Sequence, residues 1–263
     1  MRIALGLEYD GSSWGGWQFQ GHDPNTIQHA LECALSKVAD HPVSVVAAGR
    51  TDAGVHASGM VVHFDTHVVR SERSWVLGAN RYLPDSVAVQ WATLVQDEFH
   101  ARFRALARRY RYLIYNHPYR SALMSQRATW HYHELNVPAM HAALRYLAGE
   151  HDFSSLRAAG CQARQPVRCI QHISLIARPP WILLDIQANG FLHHMVRNII
   201  GVLLPVGEGK QQPGWVGEVL AARDRTVAGV TAPPYGLYFV DVLYPEDFVL
   251  PRWPIGPAWW QAD

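Results

Sequence analysis

Residues 49–57 read Gly-Arg-Thr-Asp-Ala-Gly-Val-His-Ala. An arginine, a hydroxyl and a carboxylate (Arg50, Thr51 and Asp52) sit between Gly49 and Gly54. Glycine reaches backbone geometries closed to other residues, so a segment bounded this way can fold back tightly. Arg50 and Asp52 are two apart, and in an extended segment they point the same way. A carboxylate held near arginines stays ionised, and an ionised carboxylate can serve as nucleophile or general base. A plain turn whose aspartate bonds its own backbone would use the same residue types. An isolated Gly-x-Thr-Asp-x-Gly does not separate the two readings.

A second group lies at 102–112. Arg102, Arg104, Arg108, Arg109 and Arg111 crowd together beside Tyr110 and Tyr112. The chain holds 23 basic residues, of which only Lys37 and Lys210 are lysines. Arginine's planar fork suits bidentate phosphate contacts. Arginine-rich codon usage would give the same bias, but not the clustering. Strand alternation puts Arg108, Tyr110, Tyr112 and Ile114 on one face, and Arg109, Arg111, Leu113 and Tyr115 on the other. A tyrosine ring can stack on a nucleic-acid base, which is worth roughly 1–3 kcal/mol. Its hydroxyl can also relay a proton. Arg102, Arg104, Arg109 and Arg111 are candidates for phosphate contact, with a solvated surface role as the alternative.

A third signal is Arg197, inside the apolar run His-His-Met-Val-Arg-Asn-Ile-Ile-Gly-Val-Leu-Leu. A charge among Met195, Val196, Ile199 and Ile200 is costly unless paired. The neighbouring His193 and His194 do not read as a metal site. Adjacent helical residues point about 100° apart, and no third ligand stands at a familiar spacing. Cys161 and Cys169 lack a histidine pair at zinc-finger spacing. Three cysteines in all, with no Cys-x-x-Cys pair, predict reduced thiols in a cytoplasmic protein.

The elements that must position these groups follow from periodicity. Residues 2–9 alternate as a half-buried strand with Ile3, Leu5, Leu7 and Tyr9 on one face. Residues 26–39 have helical spacing, with Asn25 or Thr26 as cap. Strands are expected at 43–48, 59–65 and 87–95, and a helix at 72–81 behind Ser71. The order β-α-β-β-α-β is that of a ferredoxin-like, or RRM-like, unit. The second half repeats it. Strands are expected at 108–115, 168–177, 181–188 and 236–244, and helices at 138–148, 192–204 and 215–222. The sequence therefore predicts an α+β fold of two ferredoxin-like halves, 1–104 and 105–263. The first carries the Asp52 loop. Side by side they would form an extended antiparallel sheet, with helices on one side and a central cleft on the other.

Composition sets limits. The length of 263 residues suits one large domain or two ordinary ones. Apolar residues at 49% and charged residues at 17% argue against disorder. No apolar run reaches the roughly 18 residues a membrane span needs, and no signal-peptide pattern opens the chain.

Several motifs together resemble the TruA family of tRNA pseudouridine synthases. Residues 49–57 resemble its catalytic-aspartate motif, and residues 8–18 (EYDGSSWGGWQ) its N-terminal segment. Residues 99–112 (FHARFRALARRYRY) and 191–201 (FLHHMVRNIIG) resemble two further motifs. Residues 224–226 and 236–244 fall where its closing segments should be. Trp14 stands where a smaller aromatic is expected. The resemblance covers essentially the whole chain. It implies isomerisation of uridine at positions 38 to 40 of the tRNA anticodon stem-loop, with flipping of the target nucleotide and no cofactor. It implies Asp52 as the essential carboxylate and Tyr110 as the active-site tyrosine. Arg50 would bind a phosphate, Arg197 would pair with Asp52, and the protein would be a homodimer. A non-catalytic RNA-binding protein built from RRM-like units is the main rival. It predicts an RNP-type octet, and none is present.

Overall fold

The computed structural model describes residues 1–19, 21, 23–252 and 254–257. In chain order the strands are β1 (Arg2–Tyr9), β2 (Val46–Ala47), β3 (His56–Asp65), β4 (Val87–Val95), β5 (Ala107–Asn116), β6 (Thr129–His131), β7 (Gly149–Asp152), β8 (Val167–Arg178), β9 (Trp181–Ala188) and β10 (Leu237–Leu243). The helices are α1 (Ile27–Ala39), α2 (Glu72–Tyr82), α3 (Val137–Ala143), α4 (Met195–Gly207) and α5 (Trp215–Ala222). The fold is mixed α+β. The chain divides into two compact units. One is Met1–Arg108 with Tyr238–Asp263, and the other is Arg109–Leu237.

In the first unit β1 lies between β3 and β4, antiparallel to both. Ile3, Leu5 and Leu7 face across to Phe64, Val62 and Met60, so the alternating apolar positions share one buried face. That face is closed by α1 and α2. Thr26 caps α1 by accepting from His29 N, and Ser71 caps α2 by accepting from Ser74 N. Helix α1 buries Ile27, Leu31, Ala34, Leu35 and Val38, while α2 buries Trp75 and Ala79. Trp75 meets Phe64 edge-on at 5.2 Å. The strand expected at 43–48 shrinks to two residues. Val43 and Val45 are buried, but only Val46 and Ala47 pair with β3.

Strand β10 closes the chain yet belongs to the first unit apart from its first residue. It pairs with β3 in parallel, Tyr238 opposite His56 and Phe239 opposite Ala57. The expected all-antiparallel arrangement therefore does not hold at this edge. A repeated element order says nothing about which sheet edge a returning strand will find.

In the second unit β8 and β9 form a hairpin that closes at Pro179-Pro180, and β7 pairs with β8. The short β6 runs parallel to the end of β5, a second departure from the antiparallel expectation. The helix expected at 138–148 is α3 followed by a 3-10 turn, and α3 is capped by Asn136. Helix α4 starts at Met195 rather than 192, because His194 adopts a left-handed backbone (φ 61°). Ile199, Ile200 and Leu203 of α4 and Leu184 and Ile186 of β9 are among the buried apolar side chains of this unit. Among the described residues, no helix is long and apolar enough to cross a membrane.

Candidate active site

The Asp52 loop joins β2 to β3, and backbone packing holds it in place. Trp17 N donates to Thr51 O at 2.9 Å. Val55 N donates to Asp52 O at 3.1 Å, closing a turn through Ala53 and Gly54. Gly54 has φ 78°, the left-handed region that glycine enters without strain. Tyr9 Oη and Thr51 Oγ1 share a buried hydrogen bond of 2.8 Å. Beneath the loop lies Gly16, with φ +105°. A Cβ there would stand 2.9 Å from Thr51 O and 3.1 Å from the Asp52 carbonyl carbon. A Cβ on Gly11 would overlap Val55 O. The glycine- and tryptophan-rich segment is thus the seat on which the loop rests. Thr51 is buried, Asp52 half-buried and Arg50 exposed.

Both ends of the loop lean on β10. A Cβ on Gly49 would stand 2.9 Å from Phe239. His56, buried where the loop enters β3, stacks on Tyr238 at 4.7 Å. Its Nδ1 lies 3.2 Å from the Asp10 carboxylate and 3.1 Å from the Gly11 amide nitrogen. The hydrogen bond with His56, aided by Ser12, holds the Asp10 carboxyl far below the usual carboxylate range against the opposing effect of burial.

The arginines of 102–111 have different surroundings. Arg102 and Arg104 are exposed; Arg102 lies over the Phe103 ring, and Arg104 Nε donates to Glu98 O at 3.3 Å. Arg108 braces the approach to the loop. It donates from Nε and Nη2 to Ala48 O, from Nη1 to Ala105 O, and from Nη2 to Arg102 O.

In the second unit Arg109 and Arg111 both reach Asp185. Arg109 Nε and Nη2 donate to its two oxygens at 2.6 and 2.8 Å, and Arg111 Nε donates at 2.8 Å. Asp185 is 2% exposed. Burial opposes its ionisation, but the two guanidiniums outweigh burial and lower its pKa. These two arginines are among the candidates for RNA phosphate contact, and the donors named here are spent on Asp185. Asp185 was missed in the sequence. Its signal was an acid in the apolar strand Trp-Ile-Leu-Leu-Asp-Ile, the kind of buried charge that requires a partner.

Tyr110 is buried and meets Phe191 edge-on at 4.9 Å. Tyr112 is fully buried; its hydroxyl donates to Pro233 O at 2.7 Å and lies 2.6 Å from Thr129 Oγ1. Burial raises its pKa above the usual tyrosine value, so Tyr112 serves the core. Arg197 is half-buried in the first turn of α4, where its Nε donates to Ala232 O at 2.8 Å.

A family profile described as tRNA pseudouridine synthase matches residues 7–104 and 143–245. The match takes in Arg50, Asp52 and Arg197, while Tyr110 lies between its two segments. The chain belongs to the tRNA pseudouridine synthase family. It is similar to proteins named tRNA pseudouridine synthase A along its whole length. The relative from Aeromonas salmonicida (strain A449) is 55% identical over 260 residues, covering 98% of this chain and 96% of the relative. That from Tolumonas auensis is 53% identical over 262 residues and all of both chains. That from Alcanivorax borkumensis is 52% identical over 258 residues, 98% and 97% of the two chains. As a family member the chain is an isomerase of uridine in tRNA.

Proposed function

We propose that this protein converts uridine to pseudouridine at positions 38, 39 and 40 of the tRNA anticodon stem-loop, with Asp52 as its essential carboxylate. The supporting observation is the setting of Asp52. It is a half-buried carboxylate on a turn whose neighbour, Thr51, is hydrogen-bonded and buried. A group held so tightly can meet a reacting atom at fixed geometry. The reaction breaks the bond from ribose C1′ to N1 and forms one from C1′ to C5. A proton leaves C5 and N1 gains one. Base and sugar are both retained, so atoms balance without a redox step or an external donor.

The glycosidic bond of a stacked nucleotide is out of reach, so the target must leave the helix, at a cost of a few kcal/mol. Tyr110 and Arg197 bind the displaced uridine, and Arg50 binds a nearby phosphate. Arg102 and Arg104 are the exposed candidates for contact with the tRNA backbone. Arg109 and Arg111 are the weaker members of that set because Asp185 engages them. The strand order β4-β1-β3 with two helices on one face supports a ferredoxin-like first half, and we extend that reading to the second. The protein would act in the cytoplasm as a homodimer.

Tritium release from C5-labelled uridine in unmodified tRNA tests the assignment. The wild type should release tritium. Asp52→Asn should release none while binding tRNA within about tenfold of the wild type, since phosphate contacts dominate affinity. Full activity in Asp52→Asn removes the aspartate from its role. No release from any tRNA by the wild type favours an RNA-binding protein without this activity.

A further inference from the structure

We infer that Arg225 is a positioning residue that fixes Arg197 through the segment 228–232, a role that rests on substrate binding by Arg197. The guanidinium of Arg225 donates to neutral oxygens. Nη1 reaches Gly229 O at 3.0 Å and Ala228 O at 3.4 Å. Nη2 reaches Thr231 Oγ1 at 2.9 Å and Asn198 Oδ1 at 3.2 Å. Thr231 Oγ1 donates to the same Asn198 oxygen at 2.7 Å. Asn198 is fully buried, and its Nδ2 donates to Leu156 O at 2.8 Å. One arginine thus gathers the loop after α5 onto the residue next to Arg197.

The loop is then committed to α4 along its length. A Cβ on Gly201 would overlap Val230 O, and one on Gly229 would overlap Gly201 O, so helix and loop touch backbone to backbone. At the end of this contact Ala232 N donates to Arg197 O at 3.2 Å, and Arg197 Nε donates to Ala232 O at 2.8 Å. The Ala232 carbonyl is therefore a fixed stop for the Arg197 side chain, and Arg225 fixes the stop. An arginine with five donors in a planar fork can tie four acceptors at once. A lysine at 225 has three donors on one atom and cannot span them.

The test is a set of kinetic comparisons on the full chain with unmodified tRNA. Arg225→Gln should lower kcat by about tenfold to hundredfold, the scale of a misplaced positioning group, with KM within about threefold. Arg225→Lys should not restore kcat. In an Arg197→Lys background the Arg225→Gln change should cost less than about twofold, because coupled residues are non-additive. Normal kcat in Arg225→Gln, or losses that simply multiply in the double variant, overturns the inference. Normal kcat in Arg197→Lys alone instead overturns the binding role of Arg197, so the two failures are told apart by that single variant. Should Arg225→Gln not fold, Thr231→Val removes one bond of the same network. It should lower kcat by about threefold to tenfold in the wild-type background and less than about twofold beside Arg197→Lys. Unchanged kcat in Thr231→Val then overturns the inference.

Discussion

Asp52 and Arg197 are held in place by opposite means. The Asp52 loop sits on backbone. Gly16, Gly11 and Gly49 allow main chain and ring to approach it closely, and side chains such as Tyr9, His56 and Arg108 add to that backbone seat. Arg197 lies at the end of a side-chain network running through Arg225, Thr231 and Asn198. The contrast follows from what each group must do. A short aspartate has little reach, so its main chain must be placed. A long arginine has reach to spare, so its side chain must be stopped.

The sharpest way to break this comparison is to add one carbon atom under the loop. Gly16→Ala asks alanine to adopt φ +105° and to press on Thr51 O and the Asp52 carbonyl carbon. Strain of that kind costs about 1–3 kcal/mol. The expected result is a fall in kcat of about hundredfold, with tRNA affinity little changed. Wild-type kcat in this variant would show that the loop tolerates displacement. A smaller effect on activity, but a clear one on stability, is expected from Asp185→Asn in the second unit. It leaves two arginines facing a neutral amide at a site 2% exposed. Breaking a buried ion pair costs about 3–5 kcal/mol, read as a lower denaturation midpoint in urea. An unchanged midpoint would mean that water or other groups replace the carboxylate.

The smallest effect concerns a side-chain anchor in the first unit. His63 accepts a hydrogen bond from Ala101 N at 3.1 Å. Burial, with Arg2 and His100 nearby, pushes its pKa from 6.5 down to about 4. The folded value lies below the unfolded one. Its contribution to stability is therefore whole above pH 6.5 and lost as pH falls to about 4. His63→Asn should flatten the drop in Tm across that window. A drop as steep as that of the wild type would assign it to other groups.

Much of this was written locally. The caps at Thr26 and Ser71, the alternation in β1 and the glycines around Asp52 are short-range signals, and short-range physics reads them. The arginine cluster was legible as a cluster but not in its parts. Arg108 spends its donors on carbonyls, while Arg109 and Arg111 find an acid on β9. That partner lies far along the chain, and no spacing rule connects the two. The same holds for Arg225, whose acceptors named above are neutral oxygens that carry no charge to betray them. Strand β10 was expected as an element, but its partner β3 was not, because pairing is a property of the whole fold.

The return of β10 also orders events during synthesis. The strand that supports both ends of the Asp52 loop is made only after the whole of the second unit. Until then β3 lacks its parallel neighbour. Pairings so distant in sequence are slow to form. A chain stopped shortly before residue 237 would contain every residue discussed as contacting tRNA, yet its Asp52 loop would lack the strand that supports its ends. Completion of the Asp52 loop thus waits on a strand that follows the second unit in the chain.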